Sequence, residues 1–94
     1  MAAYIVATVR IHDMARFKLY SAQLGDLSAQ HGGEPLVRGG VTALLEGEGE
    51  PGERIVVTRF PSAEAARAYI GSDAYKTASQ LRIGAADVIM RLVE

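Results

Sequence analysis

The sequence predicts one α+β domain, spanning residues 1–94, with the element order strand, helix, strand, strand, helix, strand. Three observations predict this class. Short runs rich in β-branched residues, with apolar side chains at every second position, lie near both ends of the chain and in its middle. Two longer stretches repeat apolar side chains at steps of three and four residues, which is the spacing of one helix face. Turns containing glycine, proline or serine separate these segments, and no repeat or linker interrupts them.

The first strand and helix occupy the N-terminal third of the chain. Ala3–Ile11 is predicted as a strand because its residues alternate between two faces. Asp13 is placed to cap the next helix, since its carboxylate can accept hydrogen bonds from the free amides of the first turn. That helix is predicted from Met14 to about His31, with Gly25 as a weak point and glycines at 32 and 33 ending it. Its apolar stripe consists of Phe17, Tyr20, Leu24, Leu27 and His31.

The middle of the chain predicts a bent strand and a hairpin loop. Leu36–Arg38 is extended, and Val41–Glu46 is predicted to continue it. The pair Gly39–Gly40 is predicted as a bulge or bend that changes which face the following side chains occupy. Gly47–Glu53 is predicted as the loop, because its glycines, proline and glutamates leave little to bury.

The second half of the chain repeats the strand and helix pattern. Arg54–Phe60 is predicted as a strand, and Ser62 as the cap of the helix after it. Gly71 interrupts that helix, and Ser72 caps a second piece that runs to about residue 83, before Gly84. The last strand, residues 86–93, places Val88, Met90 and Leu92 on one face. This order is typical of the ferredoxin-like βαββαβ fold, an antiparallel sheet with both helices on one face.

The sheet face without helices is predicted to be partly apolar. Alternation assigns the helix side to Ile5, Val9, Val56, Phe60, Val88 and Met90. The opposite face, called the outer face below, then has an apolar centre of Val6, Val57 and Ile89 beside charged residues that include Arg59 and Arg91. A solvated face would be polar throughout, so this pattern predicts a homodimer in which two sheets pack face to face.

Composition narrows the classes of function. The chain is 49% apolar and 22% charged with a net charge of −1, so it lacks the basic surface that nucleic-acid binding needs. It has no cysteine, and its two histidines show no metal-ligand spacing, which predicts neither metal nor cofactor. The apolar N-terminus lacks a basic leader and meets Arg10 and His12 too early for a signal peptide or a membrane span. These features predict a cytoplasmic protein with no membrane contact.

Three stretches together resemble a known family. They are HGGEPLVRGG (residues 31–40), VTRFPSAEAARAYIGSDAYKTASQLR (57–82) and GAADVIMRLVE (84–94). The family is the bacterial domain of unknown function 1330, within the dimeric α+β barrel superfamily, and the resemblance covers essentially the whole chain. It implies a homodimer with a cleft between the sheet and the helices. It implies no reaction, because superfamily relatives include cofactor-free monooxygenases, isomerases and haem enzymes.

Five side chains are candidates for a site in that cleft. His31, at the predicted end of the first helix, is either a catalytic acid or base at the cleft mouth or a histidine bonded to the last carbonyls. Arg38 is either turned into the cleft by a bulge, to hold a carboxylate or enolate, or an edge arginine paired with an acid. Tyr20, Tyr69 and Tyr75 either line the cleft and contact a substrate or belong to the core.

Two functions follow from these alternatives. The first is a cofactor-independent enzyme acting on a small anionic or aromatic metabolite, with Arg38 orienting it and His31 moving a proton. The second is a non-catalytic ligand-binding or structural dimer, in which the same side chains form core and rim. The sequence leaves the choice between enzyme and binder open.

Overall fold

The computed structural model describes residues 1–49 and 52–94, which form a four-stranded sheet covered by helices. The strand order is β2-β3-β1-β4, and neighbouring strands are antiparallel. The predicted ferredoxin-like fold is confirmed. No described helix has the length and apolar character needed to cross a membrane. In chain order the elements are β1 (Ala3–Ile11), α1 (Met14–Leu24), α2 (Leu27–Gln30), β2 (Glu34–Gly40), β3 (Arg54–Phe60), α3 (Ala63–Gly71), α4 (Asp73–Ser79), a 3₁₀ turn (Gln80–Arg82) and β4 (Ala86–Val93).

The three predicted helix caps are present. Asp13 Oδ1 accepts from the backbone amide of Arg16 at 3.2 Å. Ser62 Oγ accepts from the amide of Ala65 at 3.1 Å, and Ser72 Oγ accepts from the amide of residue 75 at 3.2 Å. Each cap satisfies an amide that the helix itself leaves free, which is typically worth about 1 kcal/mol.

The predicted helix from Met14 to His31 is wrong in its length. α1 ends at Leu24, and Gly25 adopts φ 51° and ψ −122°, a conformation that a residue with a Cβ rarely takes. The amide of Gly25 donates to the carbonyl of Ser21 at 3.2 Å and closes the helix. The chain continues through a turn at residues 25 and 26 into a single helical turn, α2, so two separate helices replace the one that was predicted.

β2 is also shorter than predicted. Val41–Glu46 is not a strand in the structure. β3 begins at Arg54, which pairs with Gly40, so β3 offers no partner to residues 41–46. The amide of Val41 still donates to the carbonyl of Glu53 at 2.7 Å, and this bond closes the ladder. Residues 50 and 51 of the predicted loop lie outside the described residues.

The predicted bulge at Gly39–Gly40 is wrong in its position. Both glycines pair regularly with β3. The register instead shifts by one residue between Pro35 and Val37, so Leu36 has no partner of its own. An extra residue at this point reverses the alternation of faces for the rest of the strand.

The core lies between the helix side of the sheet and the helices. Along β1, every second residue from Ala3 to Val9 is buried, which confirms the predicted alternation. Phe60 is completely buried, and Gly33 packs so closely on it that a Cβ there would lie 2.9 Å from the ring. The buried cluster consists of Ile5, Phe60, Ala66, Tyr69 and Tyr75. Burial of each large apolar side chain contributes about 1.5–3 kcal/mol.

Candidate small-molecule site

A cavity of about 330 Å³ lies between the helix side of the sheet and α1. Its floor is apolar and consists of Ile5, Ala7, Val9, Val56, Val88 and Met90. Its walls include Phe17 and Tyr20 from α1, Tyr69 from α3, and Arg38 with Arg54 from the β2–β3 hairpin. Small-molecule sites usually measure about 300–1,000 Å³, so this cavity suits a small ligand.

Arg82 holds two of the candidate tyrosines by their hydroxyl groups. Its Nη1 donates to the hydroxyl of Tyr20 at 3.0 Å and to the hydroxyl of Tyr75 at 2.7 Å. The guanidinium also lies 5.3 Å and 5.7 Å from the centres of the two rings, within the range of cation–π attraction. One side chain of the 3₁₀ turn therefore fixes the Tyr20 ring in the cavity wall.

The two wall tyrosines are protonated near neutral pH. Burial raises the pKa of Tyr69 from 10.0 to about 12, and neighbouring Tyr75 adds to the rise while the charges of Arg38 and Arg82 oppose it. Burial likewise raises the pKa of Tyr20, with a further contribution from Tyr75. Both hydroxyls can therefore donate hydrogen bonds but are poor bases.

Tyr75 supports the wall without belonging to it. Its ring packs edge-on against Tyr69 with centroids 5.0 Å apart, and only 4% of the residue is exposed. Its hydroxyl donates to the sulfur of Met90 at 3.3 Å, which links α4 to the cavity floor. All three candidate tyrosines belong to the core, and two of them, Tyr20 and Tyr69, also line the cavity.

Arg38 lies on the helix side of the sheet. It pairs with Val56, a residue of the cavity floor, and directly paired residues of antiparallel strands share a face. The bulge at Leu36 produces this placement, because regular alternation from Glu34 would put Arg38 on the outer face with it. The structure thus places Arg38 in the cavity wall by the mechanism that the sequence suggested, acting at a different residue.

His31 lies outside the cavity wall. Its Nδ1 is 3.1 Å from the carbonyl oxygen of Leu27, to which it donates when it bears the proton. Its ring packs on Tyr69 with centroids 5.8 Å apart. This contact matches the alternative of a histidine bonded to a helix-end carbonyl. Within residues 1–49 and 52–94, no three histidine, aspartate or glutamate side chains converge as a metal site.

The predicted dimer-face residues lie on the outer face. Val6 pairs with Val57 and with Arg91 on its two sides, and Ile89 is 50% exposed. Arg59 lies 4.0 Å from the carboxylate of Glu34 on the neighbouring strand. Asp87, also on the outer face, accepts from His12 Nε2 at 2.8 Å, and this contact lowers the pKa of Asp87.

Sequence reasoning missed two arginines of the site. Arg82 lies seven residues after Tyr75, two helical turns, so the spacing could have assigned both to one helix face. Arg54 lies an even number of positions from Val56 and Phe60, which the alternation of the strand assigns to the helix side. The same alternation therefore assigns Arg54 to the helix side as well. Nothing in the local sequence indicated that Tyr20 would meet Arg82, because that contact joins residues 62 positions apart.

The family model described as Domain of unknown function (DUF1330) matches residues 2–94. The chain is a DUF1330 protein. The resemblance seen in its three sequence stretches is confirmed over nearly the full length. Comparison with curated proteins finds no match.

Several solved structures share the fold of this DUF1330 protein at low sequence identity. A protein of unknown function from Rhodopseudomonas palustris has a TM-score of 0.81 at 19% identity, covering 98% of this chain and 80% of its own. A dimeric ferredoxin-like protein of unknown function from Jannaschia sp. CCS1 has a TM-score of 0.76 at 15% identity, covering 100% and 99%. SnoaB, a cofactor-independent oxygenase from Streptomyces nogalater, has a TM-score of 0.69 at 13% identity, covering 99% and 91%.

Proposed function

We propose that this DUF1330 protein is a homodimer that binds a small, flat, anionic metabolite in the cavity of each subunit and acts on it without a cofactor. One observation supports this proposal above the others. An apolar cavity of about 330 Å³ is lined by Tyr20, whose hydroxyl is held by Arg82, and by Arg38. The fold shared with a cofactor-independent oxygenase and with a dimeric protein agrees with it.

The proposed chemistry is stabilisation of a negative charge on oxygen. Hydrogen-bond donors fixed in a water-poor site are effective at this task, because they are already oriented when the charge develops. Tyr20 supplies a hydroxyl whose position is set by Arg82, and Arg38 supplies a permanent positive charge. A ligand that forms an enolate or a phenolate would gain most from these groups.

A non-catalytic ligand-binding role is the second candidate. Among the described residues, the cavity wall contains no histidine, aspartate or glutamate that could remove a proton from the ligand. Catalysis in the first proposal therefore rests on the charge-stabilising groups, with solvent as the proton acceptor. If the ligand does not ionise in the cavity, the same arrangement only binds it.

We expect phenylpyruvate, an enolisable aryl keto acid, to bind and to enolise faster in the presence of the protein. Binding is measured by thermal shift and calorimetry, and enolisation by proton-to-deuterium exchange at the carbon next to the ketone, followed by NMR in D₂O. Tyr20→Phe keeps the ring and removes the hydroxyl, so we expect about 5- to 10-fold weaker binding and slower exchange.

Tyr4→Phe is the matched control, because Tyr4 lies on the outer face and should leave both measurements unchanged. Binding without accelerated exchange would favour the non-catalytic role. If neither phenylpyruvate nor the simpler aryl acid benzoate binds at millimolar concentration, the proposed ligand class is wrong.

A further inference from the structure

We infer that Arg38 and Arg54 together form a carboxylate-binding grip at the β2–β3 edge of the cavity, so that the ligand is a small aryl carboxylate. This inference rests on the proposed function and names the chemical class of the ligand and its orientation. The carboxylate would lie between the two guanidinium groups, and the ring would lie over the apolar floor.

The pairing of β2 with β3 places Arg38 and Arg54 next to each other on the helix side of the sheet. Arg38 pairs with Val56, and Arg54, two residues before Val56, pairs with Gly40. The two are therefore diagonal neighbours, typically about 7–8 Å apart between backbones, a distance that long side chains can span. Both belong to the wall of the same cavity.

Within the part of the chain that the structure describes, no carboxylate pairs with either arginine. Among residues 1–49 and 52–94, the side chains of Arg38 and Arg54 have no hydrogen bond or ion pair, whereas Arg59 on the outer face lies 4.0 Å from Glu34. Two neighbouring positive charges repel each other, and an anion between them removes that repulsion. Guanidinium groups also match the planar, two-oxygen geometry of a carboxylate.

Space for the anion is available beside Arg54. Its ladder partner is Gly40, and a Cβ built on Gly40 would meet no atom within 4 Å. The residue paired with Arg54 therefore adds no side chain at this point. The charge of Arg38 is close enough to the buried Tyr69 hydroxyl to oppose the rise of its pKa. A carboxylate at the edge would direct the attached ring inward, towards Tyr20 and Tyr69.

Calorimetric titration with benzoate and with benzyl alcohol, its uncharged counterpart, tests the grip. We expect benzoate to bind at least about tenfold more tightly than benzyl alcohol, because charge-assisted hydrogen bonds are the strong ones. Added sodium chloride should weaken benzoate alone. Arg54→Met and Arg38→Met should each weaken benzoate about tenfold or more and change benzyl alcohol by less than about twofold.

Arg67→Met is the matched control, because it removes the same charge from an exposed position of α3 outside this cavity. Equal affinity for the two ligands in the parent protein would overturn the grip and leave a small-molecule cavity intact. Unchanged benzoate affinity in Arg54→Met would remove Arg54 from the site. Failure of both ligands to bind would overturn the grip and the proposed function together. The comparison of benzoate with benzyl alcohol on the parent protein tests the grip even if an arginine variant does not fold.

Discussion

The hydroxyl of Tyr69 is buried at the meeting point of the sheet, α3 and α4. Its ring stacks on Phe60 with centroids 5.5 Å apart and meets Tyr75 edge-on at 5.0 Å. Ionisation of this hydroxyl would leave a negative charge in a largely desolvated position, which is why burial dominates the rise of its pKa to about 12.

This shift predicts a loss of stability in alkaline solution. The folded state holds the Tyr69 proton more tightly than the unfolded state, whose tyrosine pKa is 10.0. The contribution is fully present below pH 10 and is lost as the pH rises from there to about 12. We expect the urea midpoint to fall as the pH rises from about 10 towards about 12, and to fall less in Tyr69→Phe, which cannot ionise at this position. An equal fall in the two proteins would contradict the assignment.

At the scale of single residues, the local sequence predicted which side chains are buried better than it predicted which side chains touch one another. The helical stripe correctly assigned Tyr20, Tyr69 and Tyr75 to buried positions. The helical spacing could not distinguish Tyr20, which lines the cavity, from Tyr75, which does not. That difference depends on how α1 and α4 pack. Arg82 was missed for the same reason.

Gly33 shows how one position controls the packing of a whole element. It connects α2 to β2, and a Cβ there would lie 2.8 Å from the carbonyl oxygen of Ser28 and 2.9 Å from the ring of Phe60. The start of β2 therefore lies directly on the most buried side chain of the core. A larger residue would push the strand away from the sheet.

We expect Gly33→Ala to lower the free energy of unfolding by about 1–3 kcal/mol, the usual cost of overpacking. Gly71→Ala is the matched control, because a Cβ on Gly71 would meet no atom within 4 Å. Gly71→Ala should leave the free energy of unfolding unchanged or raise it by up to about 1 kcal/mol, since alanine is the better helix residue. Urea unfolding monitored by circular dichroism measures both. A destabilisation of equal size in the two variants would show that the close approach at Gly33 does not matter.

Element boundaries were predictable where the signal was local. Asp13, Ser62 and Ser72 act within one helical turn, and their caps are where the sequence placed them. The end of β2 was not predictable from its own residues, because it depends on where β3 begins to pair. Gly25 was recognised as a weak point, but whether a helix bends or ends at a glycine is decided by the packing around it.

At the scale of the whole molecule, the two faces of the sheet have different structural roles. The helix side forms the core and the cavity, whereas the outer face exposes Ile89 at 50%, Val37 at 47% and Val93 at 46%. Large exposed apolar patches are unusual on a monomer. The homodimer that we propose would cover it with the same surface of a second copy, as a two-fold axis requires.

Multi-angle light scattering at micromolar concentration tests this assembly. We expect a mass near twice the 10.0 kDa of one chain. Ile89→Asp places a charge in the proposed interface and should give the monomer mass. Leu19→Asp is the control, because Leu19 is 61% exposed on α1, away from the outer face, and should remain dimeric. A parent protein of monomer mass would exclude the face-to-face dimer.

The bulge at Leu36 also bears on how related sequences should be aligned. Glu34 and Arg38 are four residues apart, and in a regular strand that even spacing would put them on one face, yet here they lie on opposite faces. A related sequence that lacks one residue at this point would reach the same arrangement with a regular strand and a spacing of three. Spacings of three and four between this acid and this arginine are therefore structurally equivalent, and a search pattern for the site should accept both.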